Sequence, residues 1–185
     1  IGFLGHTYPG MLDMYSDFTQ VHAQTGAHVE VLEIDDLVAR VESAETAAIE
    51  SKDREIRDVF DLADAGSDPI AAEITPEVFD WSTRVAVGLD RLVADYELDG
   101  LTYYYRGVGD NVAERVSSGL IVGNSLLTRR GVPTAGEGDL KTNIAMLLLD
   151  RLGAGGSYTE FYGLDFDEGF ILMGHDGPGH LAIAD

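Results

Sequence analysis

Cysteine is absent from the 185 residues, so the chain has neither disulfides nor thiolate metal ligands. Basic residues are scarce. Lysine occurs only at positions 52 and 141, and 12 Lys and Arg face 33 Asp and Glu, for a net charge of −21. Such a field repels phosphate backbones at long range, which argues against a nucleic-acid partner. No apolar run approaches the roughly 18–20 residues that cross a bilayer, and the first residues do not read as a secretory leader. A cytoplasmic protein with no membrane partner is the expectation. The acidity fits either a surface suited to high salt, where screening removes self-repulsion, or a general solubility coat. Hydrophobic residues make up 45% of the chain, ordinary for a globular protein and too many for a disordered one.

The apolar pattern alternates between two periods. Ile1–Gly5 is a short apolar run ending at glycine and reads as a buried strand. His6-Thr7-Tyr8-Pro9-Gly10 is turn chemistry, and helical spacing runs from Met11 to Thr25, with Gly26 as a stop. His28–Ile34 reads as a strand, with Asp35 capping a helical stretch over 36–65 that Gly66-Ser67-Asp68-Pro69 ends. Thr75-Pro76 opens a helix to about Glu97, the next strand is Leu101–Tyr105, a helix runs from Asn111 to Arg129, and Val132–Ala135 is a short strand. This order predicts an α/β fold, a parallel sheet flanked by helices, over 1–153. From 154 to 185 the style changes. Tyr158–Leu164 and Phe170–His175, joined across Asp165-Phe166-Asp167-Glu168-Gly169, predict an antiparallel hairpin that begins a second, β-rich domain.

Ligands of open α/β sheets bind beyond the carboxyl ends of the strands. His6–Gly10, Arg106–Asp110 and Gly136–Asp139 fall there. Gly136-Glu137-Gly138-Asp139 sits between a strand and the helix 140–152, and a carboxylate between glycines can approach a ligand closely. Asp139 reads equally as the cap of that helix. With the hairpin turn centred on Asp167-Glu168, Glu160 lies opposite His175, roughly 5 Å apart at Cβ. Such a pair could share a divalent cation or form a charged hydrogen bond. His180, in the loop His175-Asp176-Gly177-Pro178-Gly179-His180, could be a ligand, a substrate contact or loop packing. Gly107-Val108-Gly109 lacks the third glycine of a dinucleotide site.

Gly136-Glu137-Gly138-Asp139-Leu140-Lys141-Thr142, then Gly155-Gly156-Ser157-Tyr158-Thr159-Glu160, then Met173-Gly174-His175-Asp176-Gly177-Pro178-Gly179-His180, in this order, resembles the L-arabinose isomerases and their arabinose/fucose isomerase relatives. The resemblance implies that 1–153 is a fucose isomerase-like middle domain and that the chain is an internal piece of a longer one. It implies a divalent metal, usually Mn2+, held by two glutamates and two histidines. Glu137, Glu160 and His175 match three of these, and the fourth would lie beyond Asp185. Three ligands alone are expected to bind metal weakly and to turn over little substrate. The family's reaction converts an aldose to a ketose by moving a proton between C1 and C2 through a cis-enediol. Glu137 and Glu160 would share the acid and base work. The implied partners are a sugar substrate and further copies of the chain, in trimers or hexamers. Tyr8-Pro9-Gly10-Met11-Leu12-Asp13 is more similar to the fucose-isomerase-like relatives, so the aldose is left open. His6, Tyr8, Tyr105, Arg106 and His180 are candidate substrate contacts. A non-catalytic sugar-binding relative and a metal-assisted epimerase are the alternatives.

Overall fold

The computed structural model describes residues 1–63, 66–67, 74–107 and 109–183. Asp68 and Pro69 of the expected break, Val108 of the glycine pair, and Ala184 and Asp185 lie outside them. Four strands make one all-parallel sheet in the order β2-β1-β3-β4, where β1 is Gly2–Gly5, β2 Glu30–Leu32, β3 Leu101–Tyr104 and β4 Thr134–Ala135. The alternation of strand and helix predicted this arrangement.

Each face of the sheet is covered because neighbouring residues along a strand point to opposite sides. Leu4, Leu32 and Leu101 pack into a core with α2 (Ile34–Glu42), α4 (Pro76–Asp95) and α6 (Leu120–Arg129), through Leu37, Val41, Val85, Leu89 and Leu127. On the other side Phe3 meets Phe18 of α1 (Phe18–Thr25), with ring centroids 5.1 Å apart. Ala135 there packs with Met146 of α7 (Leu140–Arg151) and with Tyr158. α3 (Thr46–Val59) lies against α4, and α5 (Val112–Ser118) precedes α6.

Local caps divide two of the expected helices. The periodicity from Met11 to Thr25 predicted one helix, but the chain makes a 3-10 turn at Leu12–Met14 and starts again at Phe18. Asp17 accepts hydrogen bonds from the Thr19 and Gln20 amides, which fixes a fresh N-terminus. Gly119 separates α5 from α6 where the chain passes close to α4; a Cβ there would lie 3.0 Å from Val85 Cγ2. The expected strand over His28–Ile34 shortens to β2. Glu33, not Asp35, caps α2, in a reciprocal capping box with Asp36.

The hairpin is formed by β5 (Glu160–Asp165) and β6 (Phe170–Gly174). Most of its large apolar side chains face solvent on both sides; Phe161 is 70% exposed and Phe166 at the turn 89%. Among the described residues no helix is long and apolar enough to cross a membrane.

Candidate metal centre

The loops after β1, β3 and β4 lie at one end of the sheet, and the turn after β4 packs against the β1 loop and the end of β3. Gly138 donates its amide to the Tyr103 carbonyl at 3.1 Å, and the Tyr8 amide donates to the Glu137 carbonyl at 2.8 Å. Space for this comes from glycine. A Cβ on Gly138 would stand 2.8 Å from the His6 carbonyl oxygen and the Thr7 Cα. Glu137 itself adopts φ 62°, a left-handed conformation that side chains resist, followed by Gly138 at 71°. Glu97, in the turn after α4, is the other described non-glycine residue with positive φ, at 51°.

Asp139 is the helix cap. Its carboxylate accepts from the Thr142 amide at 3.0 Å and from the Thr142 hydroxyl at 2.6 Å, and the residue is buried. Of the two acids in the motif, only Glu137 is left for a ligand.

Glu160 opens β5 and His175 directly follows β6. The hairpin turn centres where the sequence placed it, with Asp165 opposite Phe170. A bulge between Phe161 and Gly163 then shifts the register by one, so Glu160 pairs with Gly174 and not with His175. The expected direct opposition is therefore corrected. The two side chains still converge despite the shift. Glu137, Glu160 and His175 each offer one ligand atom, and the three atoms lie within 4.8 Å of one another.

The groups fit a cation. Two carboxylate oxygens and one imidazole nitrogen form a donor set that could hold a divalent cation. The Nδ1 atom of His175 is buried with no hydrogen-bond partner, an expensive state unless a ligand satisfies that atom. Gly177 lies against this ring; a Cβ there would come within 3.1 Å of Nδ1.

Two tyrosines complete the surroundings, and neither was singled out from sequence. Tyr158 donates its hydroxyl to Glu137 Oε2 at 3.2 Å and packs its ring edge-on against His175, centroids 4.6 Å apart. Burial, and then the Glu137 charge, drive its phenol pKa far above the usual value. Burial also pushes the Tyr103 phenol up to about 12, with Asn124 opposing the rise and Glu137 adding to it. Tyrosines of this kind carry no motif; the only signal in the sequence was an aromatic two residues before a candidate ligand.

A cleft of about 260 Å³ runs beside the cluster, lined among others by Tyr103, Tyr105, Ser117, Glu137 and His175. Of the proposed sugar contacts, Tyr105 lines this cleft. His6 and Tyr8 do not; they pack on the Tyr104 ring with centroids 5.1 and 5.2 Å away, and His6 is exposed. Arg106 is exposed too. His180 is held by its own loop. Its amide donates to Ser157 Oγ at 3.2 Å, and its Nδ1 accepts from the Ala182 amide at 3.1 Å, which supports the loop-packing role.

Fold and site together define a parallel α/β protein with an adjoining hairpin, whose loops bring a carboxylate–carboxylate–imidazole cluster to the carboxyl end of the sheet. Comparison with protein-family models and with curated proteins gave no match.

Proposed function

We propose that this chain carries the metal-holding part of an aldose–ketose isomerase similar to the L-arabinose isomerases, acting on L-arabinose or a related aldose. The observation that carries the reading is the convergence of Glu137, from the β4 loop, Glu160, at the start of β5, and His175, just after β6, with one ligand atom of each within 4.8 Å of the others. These are the three residues that the sequence motifs align with the family's ligands. All three would hold a divalent cation, Mn2+ by the family resemblance. When bound, that cation supplies positive charge against the negative charge developing on the sugar oxygens.

The chain's own groups then divide the proton work. A proton must leave the carbon beside the carbonyl while another reaches the carbonyl oxygen. Glu137 is held at Oε2 by Tyr158, whereas among the described residues the Glu160 carboxylate accepts no hydrogen bond. Glu160 is thus the freer base for the carbon-bound proton, and Glu137 the anchored partner. Tyr105 and Tyr103 line the cleft and would form part of the wall a sugar meets.

The test uses the full-length protein in D2O with Mn2+ and L-arabinose, followed by NMR. Deuterium entering at the transferred position, lost in Glu160→Gln, is the expected result. If metal and sugar both bind while no solvent deuterium enters and no ketose forms, the chain belongs to a sugar-binding protein and the isomerase reading is wrong.

A further inference from the structure

Glu137 has a difficulty that Tyr158 resolves. A glutamate side chain ends in a broad, weakly restrained torsion, so an unattached carboxylate samples many orientations. Binding an ion then costs the ordering of that group. In this protein the carboxylate is already tied: the Tyr158 hydroxyl donates to Oε2 at 3.2 Å, leaving the other oxygen to face elsewhere. The same residue controls a second ligand. Its ring meets the His175 imidazole at 61° with centroids 4.6 Å apart, an edge contact that restricts rotation of the imidazole.

Tyr158 is itself immobilised. It is 3% exposed and packs with Ala135 and Met146 beneath the sheet. Gly136 makes room for the ring; a Cβ there would be 3.2 Å from Tyr158 Cε1. One rigid side chain therefore touches one ligand from the α/β sheet and one from the hairpin, and it sits in the segment that joins these two parts.

We propose that Tyr158 is a positioning residue of the cation site, fixing Glu137 through its hydroxyl and His175 through its ring, so that both are set before the ion arrives. The proposal deepens the metal reading above and rests on it. Hydrogen-bonding partners behind metal ligands commonly contribute roughly 10- to 100-fold in affinity. Tyr158→Phe keeps the ring and removes only the hydroxyl, while Tyr158→Leu removes the edge contact as well.

The experiment is a Mn2+ titration of the purified full-length protein, followed by EPR of the free ion, for the wild type, Tyr158→Phe, Tyr158→Leu and Glu137→Gln. Circular dichroism melts of the metal-free proteins run beside it, and binding is measured at a temperature where the melts show every variant folded. The expected result is a loss of roughly tenfold in affinity for Tyr158→Phe and a larger one for Tyr158→Leu, with binding abolished in Glu137→Gln. A residue that only filled the core would lower the melting temperature of Tyr158→Leu and leave the affinity of Tyr158→Phe unchanged. Wild-type affinity in Tyr158→Phe, with binding lost in Glu137→Gln, overturns the positioning role and leaves the metal site standing. Equal binding by the wild type and Glu137→Gln, or none by either, overturns the metal site and the positioning role with it.

Discussion

Glu137 shows the cost of placing one side chain. At φ 62° any residue with a Cβ is strained, by about 1–2 kcal/mol relative to glycine. Its neighbour Gly138 could not relieve this by exchanging places, because a Cβ at 138 meets the His6 and Thr7 backbone at 2.8 Å. The turn therefore has one position that must be glycine and one that would be more stable as glycine. Two substitutions isolate the strain: Glu137→Gly and Glu137→Ala both lose the carboxylate and its bond to Tyr158, and differ only in the methyl group. Glu137→Gly is expected to be more stable than Glu137→Ala by about 1 kcal/mol, read from denaturant melts of the metal-free proteins. Equal stabilities, or alanine ahead, would mean that the backbone at 137 relaxes and that its conformation reports nothing about function. The carboxylate is thus kept against a local preference, as at many working sites.

At the scale of elements, the site depends on how firmly α7 is set against the strand starts. Asn143, fully buried, does this by donating from one amide nitrogen to two carbonyls, Leu101 at 3.0 Å and Pro133 at 2.8 Å. Gly100 exists for the same contact, since a Cβ there would lie 2.6 Å from Asn143 Oδ1. Asn143→Leu has nearly the same volume but removes both of these bonds, although the Pro133 carbonyl still accepts from the Leu101 amide at 3.0 Å; it should cost about 2 kcal/mol, seen as a lower urea midpoint with unchanged slope. A loss below about 0.5 kcal/mol would show that water replaces the amide. The parallel sheet, its helices and the hairpin were legible in the sequence because periodicity and glycine punctuation are local signals. So was Glu137, since a glycine on either side strips an acid of packing neighbours and leaves it open to a ligand. The restart at Asp17, the break at Gly119 and the bulge at Phe161 were not. In the first a single capping side chain outweighs several apolar ones, in the second the approach of a distant helix decides, and in the third register is set by hydrogen bonding that pairing arithmetic ignores. Asn143 and Tyr158 were illegible for a simpler reason: their roles lie in what they face, residues 42 and 21 positions away.

For the whole molecule the dominant fact is charge. With 33 acidic residues against 12 basic ones, each cation is outnumbered nearly three to one. The exposed ion pairs, such as Arg57–Asp53 at 2.9 Å and Arg84–Asp80 at 2.7 Å, contribute little individually and would be weakened by salt. The partly buried group formed by Lys52 with Glu55 and Asp90 is screened less. Against these stand the unpaired carboxylates, whose mutual repulsion is lower in the expanded unfolded chain than in the folded one. Salt acts on both terms, but the surplus of acids makes repulsion the larger. At 0.1 M the screening length is about 10 Å, so acids on neighbouring helices still repel; at 1 M it is about 3 Å and they do not. Raising NaCl from 0.1 to 1 M should therefore raise the melting temperature by several degrees, most steeply at the low end where screening changes fastest. The hydrophobic core responds only weakly to this salt, so the shape of the curve separates the causes: a rise that saturates is screening, and a linear one is an effect on apolar burial. A melting temperature that stays flat or falls would show that the ion pairs balance or outweigh the repulsion, and that the acidic surface is a solubility coat and not one suited to high salt.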